Sequence, residues 1–265
     1  MSATGNRTRQ MRAAVLALAA ASLAGCAAPQ RMGANEPTLG ANTLNVARTA
    51  LAGNRPDLAL HVANAVLKVD PGNDEARLVH GDAAYLLGDC RTASADYRAV
   101  LKAAPHTAGA EIGLGRCALR TNGRGAVAAF RQAAGDDPHN AVAFNDLGVA
   151  LAKRGAFGAA VPAFRKALAL RPSFAAARAN LGLATALEGQ PGAGAAIIAP
   201  LAQGAQASAP ERANYAAALA MAGDEASAQR VLSADMPAAE ARDMVAQLAR
   251  ITTVPHAGQP PHAAN

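Results

Sequence analysis

The residues in this chain that could do chemistry are few and scattered. Six histidines (His61, His80, His106, His139, His256 and His262) are spread along its length. None stands in a His-Glu-x-x-His run or a Cys/His cluster, the spacings that set metal ligands on one face. There is no Gly-x-Ser-x-Gly elbow and no phosphate-binding loop ending in Gly-Lys-Ser/Thr. Gly113-Leu114-Gly115-Arg116-Cys117-Ala118 fits the loose G-x-G-x-x-A pattern, whose glycines let a backbone approach a pyrophosphate. That chemistry needs a preceding strand and a βαβ unit, and no alternating Val/Ile/Thr run supplies the strand. The sequence therefore predicts no catalytic residue, no cofactor and no metal, in a chain that is not an enzyme.

Of three cysteines, Cys26 has the clearest context. Met1 to Arg12 is polar and basic, Ala13 to Ser22 is almost wholly apolar, and Leu23-Ala24-Gly25-Cys26 follows. The apolar run is far shorter than the roughly 20 residues that span a bilayer. A basic segment, a short apolar one and small residues before a cut describe a secretory signal over residues 1–25. Leu-Ala-Gly-Cys also looks like a bacterial lipobox, which implies lipidation of Cys26 as the mature N-terminus; the alternative is an ordinary signal with an incidental cysteine. By the same resemblance Ala27, where an Asp would signal inner-membrane retention, implies an outer-membrane lipoprotein facing the periplasm. Residues 26–39, mixing Pro, Gly, Asn and Gln, read as a tether.

The body of the chain is periodic. In Ala141 to Phe174, Phe144, Leu147, Gly148 and Leu151 share one helical face, Gly155 marks a turn, Ala160, Phe164 and Ala167 follow, and Pro172 stops a second helix. The small residue recurs at Ala47, Gly81, Gly115, Gly148, Gly182 and Ala216, and the proline at Pro71, Pro105, Pro138 and Pro172, each at 33 or 34 residues. This resembles the tetratricopeptide repeat, a helix–turn–helix unit that buries its apolar faces only by stacking on copies of itself. The reading is all-α: six repeats over 40–73, 74–107, 108–140, 141–174, 175–208 and 209–236, a capping helix over 237–251 with Asp235 as its N-cap, and a disordered tail over 252–265. The third repeat is one residue short, which we place in the turn near Thr121-Asn122-Gly123. Pro162 should bend its helix, and His80, in place of a repeat leucine, should be half-buried and hydrogen-bonded.

The repeat register assigns roles to side chains. Gly81, Gly115, Leu147, Gly148, Ala160, Phe164, Ala167, Pro172 and Gly182 are packing or helix-ending positions. Cys90 and Cys117 fall roughly opposite each other on neighbouring helices. If bonded, they would close a loop of about 27 residues, worth about 3 kcal/mol on a chain-entropy argument; the alternative is two buried thiols. First helices line the inner face of such arrays, so Arg48, Leu51, Leu78, Asp82, Tyr85, Ile112, Arg116, Arg120, Asn145, Val149, Lys153, Leu183 and Leu187 form a candidate peptide groove. Its apolar part would give area, and Arg116 and Arg120 would meet acidic side chains. A solvated face with nothing bound is the alternative.

The formal charge of +6 falls to +3 without the three arginines of the first 25 residues, so the basicity reads as largely a targeting feature. No basic stripe with interleaved aromatics points to nucleic acid, and nothing points to a small-molecule substrate. The run from Phe144 to Ala202, the segment from Ala213 to Met236 with its closing helix, and the lipobox together are similar to the TadD family. These are tetratricopeptide lipoproteins of the tight-adherence (Flp) pilus system. The resemblance implies a non-catalytic accessory that helps an outer-membrane secretin assemble or localise, with the secretin or another pilus component as protein partner and the membrane held through the N-terminal lipid. Another envelope adaptor of the same build, for outer-membrane protein assembly or peptidoglycan hydrolases, is the alternative, followed by a structural spacer.

Overall fold

Each 34-residue period of this sequence carries enough Ala and Leu to form two helices and one residue able to turn the chain between them. The structure, a computed structural model, describes residues 39–251. The signal segment, Cys26, most of the tether and the tail from Thr252 lie outside the described residues. Residues from Thr43 onward form one compact unit. The described helices are α1 (Leu39–Ala52), α2 (Pro56–Val69), α3 (Asp74–Leu86), α4 (Cys90–Ala103), α5 (Ala108–Thr121), α6 (Ala126–Asp136), α7 (Ala141–Lys153), α8 (Phe157–Leu170), α9 (Ala175–Leu187), α10 (Pro191–Ala202), α11 (Ala209–Met221), α12 (Glu225–Leu232) and α13 (Ala238–Ile251). Among the described residues there is no strand. The fold is an all-α solenoid of helical hairpins.

Two kinds of turn alternate. Within a hairpin the first helix ends on a residue with positive φ, such as Gly155 at 74°, and the chain reverses there. Asn54 does the same at 54° in the first hairpin, a conformation Asn tolerates better than most side chains. Between hairpins, Asp70-Pro71-Gly72-Asn73 and Asp137-Pro138-His139-Asn140 close in one way. The aspartate accepts from a backbone N–H two residues on and from the asparagine amide, and the asparagine oxygen caps the next helix at Ala76 or Ala143. Pro56 and Pro191 open second helices, where the missing N–H costs nothing.

The core is a row of slots. An added Cβ would lie 2.9 Å from the Tyr97 ring at Gly81, 2.6 Å from Phe130 at Gly115, 2.5 Å from Phe164 at Gly148 and 2.3 Å from Ile198 at Gly182. These four large side chains are all under 2% exposed. Gly182 also faces the Gly194 carbonyl, with a Cβ-to-oxygen distance of 2.7 Å, so α9 and α10 approach backbone to backbone. A glycine costs a helix about 1 kcal/mol, whereas burying a large apolar side chain stabilises by about 1.5–3 kcal/mol; the slot wins. The first hairpin instead sets Ala47 against Ala63, and the last sets Ala216 against Leu232, all buried. Helix α13 packs on α11 and α12, burying Ala241 and Val245 against that final hairpin.

Two expectations are corrected here. Asp235 is not the N-cap of the last helix, which begins at Ala238; its carboxylate accepts both Nε (2.7 Å) and Nη2 (2.5 Å) of Arg212. The short third repeat does not shorten its turn. Helix α5 runs on to Thr121, the turn 122–125 is one residue longer than its counterparts, and α6 starts late. Helix α8 passes through Pro162 as one continuous element, with the ring on the exposed side.

Gly182→Ala and Gly148→Ala are each expected to destabilise the protein by about 1–3 kcal/mol, through overpacking against a filled slot. Gly135→Ala, where an added Cβ meets nothing within 4 Å, should leave stability unchanged or raise it by up to about 1 kcal/mol. Urea denaturation of the three variants checks this; a stabilised Gly182→Ala protein would refute the slot.

The inner face as candidate binding site

The first helices of successive hairpins touch one another (α3 with α5, α5 with α7, α7 with α9, α9 with α11). Among the described residues no second helix touches another second helix. The array therefore curves with its first helices inside, and the residues assigned to the inner face fall on those helices.

The structure separates them into three groups. Ile112 and Asn145 are buried, 7% exposed each, and so are not open lining. Ile112 belongs to the core around Phe130 and Phe164. Asn145 accepts from the Asn180 amide (3.1 Å) and donates to Asp146 (3.1 Å).

The second group is polar and satisfied from within. Arg116 donates through Nε to Asp146 at 2.7 Å. Arg120 donates to the Tyr85 carbonyl at 2.8 Å and lies over the Tyr85 ring, 5.1 Å from its centre. Arg48 pairs with Glu75, and Tyr97 donates its hydroxyl to Asp82 at 2.9 Å. The expectation that Arg116 and Arg120 wait for acidic groups of a partner is thus corrected: each is held by the preceding or following repeat, 30 or 35 residues away in sequence. Burial pushes the Asp82 carboxyl above its usual range, outweighing the Tyr97 hydrogen bond and the Arg116 charge. Burial and the Asp82 carboxylate in turn raise the Tyr97 phenol, so it remains a donor.

The third group is open. Leu78, Val149, Leu183 and Leu187 are half-buried at the edges of the core clusters, and Lys153 is exposed. Val149 lies in the fourth hairpin and Leu183 and Leu187 in the fifth, with Leu78 in the second. Elsewhere His80 is half-buried and bonded to Asp96 at 2.5 Å. Among the described residues no group of His, Cys, Asp and Glu could hold a metal ion, and no helix is long and apolar enough to cross a membrane.

Cys90 and Cys117 are brought together where α4 meets α5, but both thiols are free, so the disulfide expected from the sequence is not present. Burial and the neighbouring Cys90 push the Cys117 thiol up to about 12, against a smaller opposing effect of a Ser94 hydrogen bond. A group held as thiol is a poor nucleophile for disulfide exchange.

The tetratricopeptide-repeat family pattern matches residues 44–89, 78–125 and 120–173. No curated protein sequence matches the chain. Among solved structures, PilW, described as a widely conserved type IV pilus biogenesis factor, is similar over 80% of this chain and 100% of its own, at 22% identity and a TM-score of 0.68. PilF of Pseudomonas aeruginosa is similar over 78% and 96%, at 16% identity and 0.66. A thermophilic tetratricopeptide protein of Thermus thermophilus is similar over 68% and 98%, at 21% identity and 0.59.

Two outcomes follow from the ionisable groups. In reduced native protein at about pH 8, iodoacetamide should modify half-buried Cys90 well before Cys117, and urea should abolish the difference; peptide mass spectrometry reads both. For Asp82, a carboxyl pKa raised on folding contributes stability below the ordinary carboxylate range that is lost as pH rises through the folded value. Asp82→Asn, which keeps an oxygen for Tyr97, should therefore melt higher than the native protein near neutral pH and equal to it near about pH 3, below the unfolded carboxyl pKa.

Proposed function

The chain is an all-α tetratricopeptide-repeat solenoid, and from that premise we propose that it is a non-catalytic scaffold for assembly of a tight-adherence (Flp) pilus. In this reading Cys26 carries the lipid that holds it to the periplasmic side of the outer membrane. A segment of the secretin, or of another pilus component, lies along the inner face. The observation that carries the reading is the division of that face. Apart from Lys153, its charged groups are engaged internally, while Val149, Leu183 and Leu187 stay half-buried on adjoining first helices. Such a stripe offers apolar area to an extended or helical peptide without leaving a buried charge unpaired. The lipobox and the layout of the later repeats support the pilus assignment, and likeness in fold to PilW, a type IV pilus biogenesis factor, is consistent with it.

Deleting the gene should lower secretin multimers and piliation together. Complementation with Leu183→Asp/Leu187→Asp should fail although the variant protein is folded, with affinity for the partner segment reduced at least tenfold, as expected on losing about 1.4 kcal/mol or more. Cys26→Ala should release the protein from the membrane fraction. Normal secretin multimers and normal pili in the deletion strain would overturn the pilus reading in favour of another envelope adaptor.

A further inference from the structure

The missing residue of the third repeat leaves a mark on the surface. Helices α4, α8 and α10 start seven residues before their core side chains Tyr97, Phe164 and Ile198, whereas α6 starts only four before Phe130. Its first turn is absent. In its place stands the turn 122–125, with Gly123 and Gly125 at φ of 72° and 78°. Beside this turn opens a cleft of about 750 Å³, reaching the end of α7.

The cleft is walled by cations. Arg124, Arg131, Lys153 and Arg154 line it and no carboxylate does. All four are exposed, and among the described residues none of their side chains has a hydrogen-bond, ion-pair or ring partner. Leu119, Val127 and Ala150 supply an apolar floor. The first N–H groups of α6 have no side-chain cap, which adds positive potential at the same place. Charge is also concentrated regionally: residues 90–171 hold 12 basic and five acidic residues, a net +7, so the remainder of the chain is net −1. The basicity is therefore a property of the middle repeats, which corrects its assignment to the signal segment.

The cleft adjoins the inner face. Asn145, Val149 and Lys153 follow one another at spacing four on α7, so a chain lying over Val149 meets Lys153 at the end of that helix. We propose that this cleft receives the acidic end of the peptide bound on the inner face, a segment carrying two or more Asp or Glu residues next to apolar ones. This inference rests on reading the inner face as a peptide groove. Arginine forks pair with carboxylates through two parallel hydrogen bonds, and the apolar floor suits the methylenes of Glu. A membrane surface would favour cations spread on an open face; here they wall a cleft.

The test uses the mature full-length protein and two fluorescein-labelled octapeptides, one alternating Leu and Glu, the other Leu and Gln. The Glu peptide should bind at least tenfold tighter at low salt and lose that advantage at high salt. Arg124→Glu/Arg154→Glu should cut its affinity at least tenfold, while Lys102→Glu/Arg165→Glu, exposed cations outside the cleft, should leave it within about twofold. If the charge reversal lowers the melting temperature, Arg131→Gln/Lys153→Gln tests the same site more gently. Equal binding of the two peptides, an equal loss in the control variant, or tighter, cleft-dependent binding to vesicles containing anionic phospholipid would each overturn the proposal. The groove is tested separately. If it is real and the cleft idea wrong, both peptides bind alike and Leu183→Asp/Leu187→Asp abolishes both. If the groove is wrong, that variant still binds the Glu peptide.

Discussion

A small residue on one helix facing a large buried side chain on the next is the constraint from which the rest of this structure follows. Gly81, Gly115, Gly148 and Gly182 each leave room for one side chain that reaches across the hairpin. The contact fixes how closely the two helices approach and in which register. With aromatics at only 3% of the sequence, three of the four slots still hold an aromatic ring, and the fourth holds Ile198. The remaining contacts are made largely by alanines at 0% exposure, which permit close backbone approach while burying little area each. Stability is therefore concentrated in a few side chains per repeat, and the array is a chain of local solutions joined by interfaces of the same kind.

Polar groups are arranged to keep those interfaces in register. Arg77 and Arg178 stand at the fourth position of their repeats, where Phe144 stands in the fourth hairpin. Each reaches back to the carbonyl of the preceding turn proline, Pro71 or Pro172. Arg212 does the equivalent at Ala207 and adds Asp235. At that position these arginines clasp the preceding turn, where the fourth hairpin carries Phe144 instead. On the inside, the links from Arg116 through Asp146 and Asn145 to Asn180 tie three successive first helices together. Among the described residues no buried side-chain nitrogen or oxygen lacks a partner, which is what a burial this rich in polar crossings requires.

What was legible in the sequence is what depends on local spacing. The slot glycines and the turn prolines mark each repeat within its own 34 residues, and the helices fall where those markers put them. What was not legible is whatever depends on a partner one repeat away. Nothing near Arg116 in sequence announces Asp146, and nothing near Arg120 announces the Tyr85 carbonyl. Both arginines therefore looked free when read on a single helix. Asp235 was misplaced for the same reason: as an N-cap it would need only its neighbours, but its partner is Arg212. The arginine clasp had a signal, since Arg77 and Arg178 each follow a turn proline by six residues, but without the carbonyl geometry the pattern carries no meaning.

The third hairpin shows how a repeat protein can acquire a local feature without disturbing its core. Deleting one residue between Gly115 and Phe130 could have shifted the ring out of its slot, at the cost of an overpacked or empty site. The chain instead keeps Phe130 fully buried and moves the defect outward. Helix α5 extends to Thr121, α6 gives up its first turn, and two residues in the left-handed region absorb the change in direction. A slot is worth more than a helical turn, because a turn's hydrogen bonds can be replaced by water at the rim while a buried ring has no substitute. Irregularity in such an array is thereby driven to the turns, beside the inner face, where a change of charge or shape alters what can dock and leaves the repeats stacked.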